Sequence, residues 1–112
     1  MSVEHEIREE GGAKVVAFEG DIDLDGSPEA RKVLLECIGG DKPVLVDLSK
    51  VGYIDSSGVA SLVESFQKAR KKGCAFALVS ASEAVMRVLQ LARLDKVFPI
   101  YDSVEEALAG IE

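Results

Sequence analysis

Hydrophobic positions along this chain follow two periods in turn. Residues 14–18, 44–48 and 75–79 are short apolar runs with few polar interruptions, the pattern of strands covered on both faces. Between them the spacing becomes helical. Ala30, Val33, Leu34, Cys37 and Ile38 share one face of a helix opened by Ser27-Pro28 and stopped by Gly39-Gly40, since serine caps, proline suits the first turn and glycine ends helices. Val59, Leu62, Val63, Phe66 and Ala69 mark a second helix over 57–72, closing on Arg70-Lys71-Lys72 and Gly73. Ser82 opens a third, carrying Val85, Val88, Leu89 and Ala92, and Ser103-Val104-Glu105-Glu106 is a capping box at the head of a fourth.

The remaining segments complete the topology. Residues 3–8 read as a short edge strand, Gly11-Gly12 as a hairpin turn, and 96–101 as a short returning strand. Residues 21–25 read as an acidic loop, and Gly52 lies in a turn between the 44–48 strand and the second helix. Strands alternating with helices after residue 40 predict parallel pairing through right-handed crossovers, while the early hairpin adds an antiparallel pair. The expected fold is α/β: one domain over 1–112, a mixed sheet of about five strands with about four helices.

Composition narrows the chemistry. With 112 residues, 47% apolar and 29% charged, the chain is long enough for one core and too apolar for disorder. It has no Trp and 5% aromatic residues, so that core must be aliphatic. Thirteen basic against 20 acidic side chains give a formal charge of −7, which disfavours nucleic acid and suits a protein partner with basic groups. The acidic start, Met1-Ser2-Val3-Glu4-His5-Glu6, lacks signal-peptide character, and no apolar run reaches the roughly 20 residues of a membrane helix. The expected location is the cytoplasm. Cys37 and Cys74 read as buried free thiols.

Catalytic constellations are missing. His5 is the one histidine and falls in an expected mobile terminus, so no base serves a serine nucleophile. No phosphate loop or G-x-G-x-x-G occurs, and metal-ligand spacing is absent, so neither cofactor nor metal is expected. Asp21, Asp23, Asp25 and Asp55 could share one rim, where solvation is the plainer reading. What stands out is Asp55-Ser56-Ser57-Gly58, between a strand and an amphipathic helix. Hydroxyls there meet the positive end of a helix dipole, with backbone N–H groups expected to be free. On the third helix, Met86, Leu91 and Leu94 lie partly off the apolar face and offer a second contact surface, or the edge of a broad packed stripe.

The longer run from Val44-Leu45-Val46-Asp47-Leu48 to Asp55-Ser56-Ser57-Gly58-Val59-Ala60 resembles the signature of STAS domains, most closely the bacterial anti-sigma factor antagonists. Glu19-Gly20-Asp21-Ile22-Asp23 is similar to the family's early acidic element, and 73–79 and 84–98 resemble its later strand and helix. The resemblance covers about residues 14–109. It implies a phosphorylatable serine at Ser56, with Ser57, Gly58, Asp23 and Asp55 around it. It implies an ATP-dependent serine kinase that is also an anti-sigma factor as the partner, and a PP2C-type phosphatase to reset the switch. Gly58-Val59-Ala60 departs from the commoner G-L-G. That variation also occurs in STAS subunits of lipid-transport ABC systems, which makes docking on a transporter ATPase the second reading. Nucleotide binding by the domain itself is a third.

Overall fold

Gly11 and Gly12 have φ of 60° and 84°, the left-handed backbone of a two-residue hairpin turn. They fold β1 (Val3–Glu10) antiparallel onto β2 (Ala13–Ile22), with Glu10 opposite Ala13 and Val3 opposite Gly20. β3 (Val44–Ile54), β4 (Phe76–Val79) and β5 (Ile100–Tyr101) then add in parallel. The result is a five-stranded sheet in the order β1-β2-β3-β4-β5. α1 (Ser27–Ile38), α2 (Ser56–Lys72) and α3 (Glu83–Leu91) form the crossovers, and α4 (Val104–Gly110) follows β5. This computed structural model describes residues 3–111. The mixed α/β sheet of five strands and four helices agrees with the sequence pattern.

Each crossover advances the sheet in one direction, so crossovers of one hand stack α1, α2 and α3 on the same face. There Val16, Phe18, Val46, Leu48 and Leu78 of the sheet meet Leu34, Ile38, Leu62, Phe66 and Leu89 of the helices. Phe66 packs its ring 5.9 Å from Phe76 and 5.3 Å from Phe98. The opposite face carries a smaller cluster, Ala13, Val15, Leu45, Ala77 and Val79 under Ala107 of α4. Coverage on both sides explains why these strands read as unbroken apolar runs. On α2, Ser61 and Ser65 are buried and satisfied: Ser61 donates to the Ser27 carbonyl of α1 at 3.3 Å, and Ser65 to the Ser61 carbonyl at 2.8 Å.

Several boundaries differ from the sequence reading. β1 runs on to Glu10, and His5 lies within it opposite Phe18, so it is no mobile terminus. β2 continues to Ile22, which takes Asp21 out of the acidic loop. β3 absorbs Gly52 and ends only at Ile54. The pairing passes from Ala17↔Asp47 to Glu19↔Lys50, and from Gly20↔Val51 to Asp21↔Tyr53, so β3 supplies one extra residue each time. Those bulges keep a polar, glycine-containing stretch in the ladder. Ser27 does not cap α1; Gly26 holds that position and Ser27 is buried in the first turn. Ser56 already belongs to α2, β4 begins at Phe76, and β5 shrinks to two residues. Cys37 is buried as expected, whereas Cys74 is half-buried; burial pushes both thiols up, which keeps them unreactive.

Leu78 is fully buried at the centre of β4. Leu78→Ala should cost about 2–5 kcal/mol of stability through lost burial and a residual cavity, read from the midpoint of a denaturant titration.

Candidate functional site at the ends of β2 and β3

β2 and β3 finish side by side, with Ile22 opposite Ile54. Two connections leave from there, residues 23–26 into α1 and Asp55 into α2. Asp55 caps α2 in an extended conformation (φ −113°, ψ −171°). Its Oδ1 accepts the Ser57 N–H at 2.9 Å, the Gly58 N–H at 3.2 Å and the Ser57 hydroxyl at 2.5 Å. The Asp55 N–H donates to the Ile22 carbonyl at 3.4 Å, which ties the start of the second connection to the end of β2. The Ser57 hydroxyl foremost, and the Gly58, Ser57 and Leu24 amides after it, hold the Asp55 carboxyl below its ordinary range.

Asp23 organises the other connection. Its carboxylate accepts from the Asp25 and Gly26 amides at 3.1 and 2.9 Å. Its carbonyl accepts from Gly26 and Ser27 at 3.1 and 2.7 Å. Asp23 thus closes the turn that enters α1, in place of the expected Ser27 cap. Gly58 is required by close approach: a Cβ there would land on the Ile22 carbonyl and come within 2.6 Å of Ile54 Cγ1.

The two serines differ sharply. Ser57 is half-buried and its hydroxyl is engaged by Asp55. Ser56 is exposed at the first position of α2, and among the described residues its hydroxyl has no hydrogen-bond partner. The expectation of free backbone N–H groups at this junction is corrected. Ser57 and Gly58 give theirs to the Asp55 carboxylate, and Val59 gives its own to the Asp55 carbonyl at 3.0 Å. The helix end is already capped by an anion.

The structure therefore brings Asp23, Asp55, Ser56, Ser57 and Gly58 together at one end of the sheet. Met86 stands apart. It is half-buried and packs against the main core with Leu94, as the broad-stripe alternative has it; Leu91 alone of that trio is exposed. Among the described residues no group of three or more His, Cys, Asp or Glu side chains could hold a metal, so the four aspartates form no such site. No helix is long and apolar enough to cross a membrane. Sequence reasoning missed Leu24 and Tyr53, which are 74% and 51% exposed beside the cluster. A leucine between Asp23 and Asp25, in a loop otherwise read only for its charge, was the available signal.

Comparison with known proteins agrees with this geometry. The STAS domain family matches residues 4–107. An anti-sigma F factor antagonist of Paenibacillus polymyxa is 26% identical over 114 residues, spanning 100% of this chain and 97% of that protein. A Thermotoga neapolitana protein provisionally named an anti-sigma factor antagonist is 38% identical over 73 residues, a match covering 65% of either length. Among solved structures, an anti-sigma factor antagonist from Mycobacterium paratuberculosis superposes with a TM-score of 0.88 at 28% identity, covering 98% of this chain and 94% of that one.

Two outcomes follow for the capped junction. Gly58→Ala should lose about 1–3 kcal/mol of stability in chemical denaturation, because the added carbon meets backbone that cannot move aside. Asp55→Ala should lower Tm most at neutral pH. A carboxyl whose folded pKa lies below its ordinary 3.8 stabilises fully above that value and loses the effect as pH falls through the folded one. The Tm gap between wild type and Asp55→Ala should therefore close on acidification below that range, in scans across pH.

Proposed function

This chain belongs to the STAS domain family, and we propose that it is an anti-sigma factor antagonist whose binding is switched by phosphorylation of Ser56. One observation carries the assignment: of two adjacent hydroxyls at the α2 start, Ser57 is locked to Asp55 while Ser56 projects freely into solvent. An incoming phosphoryl donor can reach Ser56 without breaking the cap. The relatives bearing anti-sigma antagonist names favour this reading over a transporter subunit. The partner is an anti-sigma factor, and more specifically one that is an ATP-dependent serine kinase; a PP2C-type phosphatase removes the phosphate. The single domain works in the cytoplasm as a binding protein without a reaction of its own.

In the switching step the Ser56 oxygen attacks the γ-phosphorus of ATP held by the partner. The bond to the bridging oxygen breaks, ADP leaves, and the hydroxyl proton passes to a base on the kinase. The product is a side chain carrying about −1.5 to −2 charges. Little local absorbs it, because the Ser57 and Gly58 amides of the helix end are already taken by the Asp55 carboxylate. In the complex the new dianion also faces the nucleotide's remaining phosphates, since transfer requires them to be opposite Ser56. Like charges pressed together in a desolvated interface cost several kcal/mol, and about 3 kcal/mol weakens binding roughly a hundredfold. The fold itself loses no packing, because Ser56 is exposed.

With its kinase and ATP the protein should gain one phosphate, and Ser56→Ala should abolish the gain in intact mass. Ser56→Asp should weaken binding to the unphosphorylated-state partner at least tenfold by titration calorimetry, while Ser56→Ala binds like wild type and both keep the wild-type Tm. Phosphate found on Ser57 by peptide mapping would overturn the assignment.

A further inference from the structure

Leu24 presents an apolar side chain that is 74% exposed, in a turn closed on both sides of it by backbone hydrogen bonds. Asp23 before it binds the amides of Asp25 and Gly26. The Ile22 carbonyl just upstream accepts the N–H of Asp55, the residue whose carboxylate engages the Ser57 hydroxyl. A leucine held in water by a turn with three such anchors is displayed, not left over. Scattered exposed apolar residues are ordinary, and Leu91, at 81% exposure, is one. Leu91 ends α3, which runs back from the carboxyl end of β4 towards the start of β5, so it lies at the opposite end of the sheet from Ser56.

We propose that Leu24 is the apolar anchor by which the switch kinase grips this chain, seating in a nonpolar pocket beside the kinase's nucleotide site. The inference rests on the reading of Ser56 given above. Its logic divides the labour of the interface between two neighbours. A negative loop and an exposed serine steer and switch association but supply little burial. A pre-ordered leucine supplies burial at small entropic cost, because the turn is already rigid in the free protein. Since Ile22 and Ile54 are paired where the two connections begin, Leu24 and Ser56 each lie two residues past that pair, and the anchor sets the distance at which the hydroxyl meets the phosphoryl donor.

The test titrates wild type, Leu24→Ala and Leu91→Ala against the anti-sigma factor serine kinase encoded in the same genome, followed by steady-state phosphorylation of each. Leu24→Ala should weaken binding by about tenfold or more, and raise KM for this chain as substrate with kcat held, at unchanged Tm. Leu91→Ala should match wild type in every readout. Wild-type binding with Leu24→Ala within about twofold of it would overturn the anchor while leaving the Ser56 reading intact. Equal losses in both leucine variants would overturn it too, pointing to diffuse apolar contact. Failure of wild type to bind any such kinase would overturn the functional reading and the anchor together.

Discussion

The carboxylate of Asp55 accepts from two amides of α2 and from the Ser57 hydroxyl, while its own N–H donates to the Ile22 carbonyl at the end of β2. A helix N-terminus has orphan donors that must find partners, and here one side chain satisfies two of them. The proposed choice of Ser56 as the phosphorylated serine rests on that satisfaction. Once Ser57 is consumed by the cap, Ser56 is the hydroxyl left for a partner. The charge of the cap matters equally, because an anion already sits where a phosphate would otherwise be welcomed.

Delivery of this junction to the surface is the work of the sheet. β3 is the longest strand, and its two bulges let it keep pace with β2 through Ser49, Lys50 and Gly52 until both end at Ile22 and Ile54. Without the extra residues the strand would stop near Leu48, and Asp55 would hang on a loop. The rigidity of the site is thus backbone pairing extended to its last residue, with Gly58 allowing α2 to start directly against the Ile22 carbonyl. Ligand sites at the carboxyl ends of parallel strands are a general property of such sheets; here that end presents the exposed Ser56 hydroxyl.

The core is indifferent to this chemistry. Aliphatic side chains and four phenylalanines pack α1, α2 and α3 on one face, α4 covers part of the other, and among the described residues no buried side-chain polar atom lacks a partner. An exposed site on a fully satisfied scaffold can gain and lose charge without unfolding, which is what a reversible switch requires. The ion pairs on the surface, such as Arg31 with Glu64 between α1 and α2, are exposed and contribute little.

Periodicity determined the first three helices and the three covered strands, because burial on one stripe or on both faces writes itself directly into residue order, while turn and cap residues gave the hairpin at Gly11-Gly12 and the fourth helix, and with them the mixed sheet. The cluster of Asp23, Asp55, Ser56, Ser57 and Gly58 was also legible, since capping residues at a strand-to-helix junction announce their place. Tertiary structure decided the rest. The continuation of β3 through Gly52 depends on a neighbour's backbone. So do the replacement of the Ser27 cap by the Asp23 turn and the packing of half-buried Met86 against the core. So, finally, does the difference between two adjacent serines. Local sequence reports what a residue prefers; which hydrogen bond it makes depends on groups some thirty residues away, and those are brought near only when the fold closes, as with Ser61 and the Ser27 carbonyl.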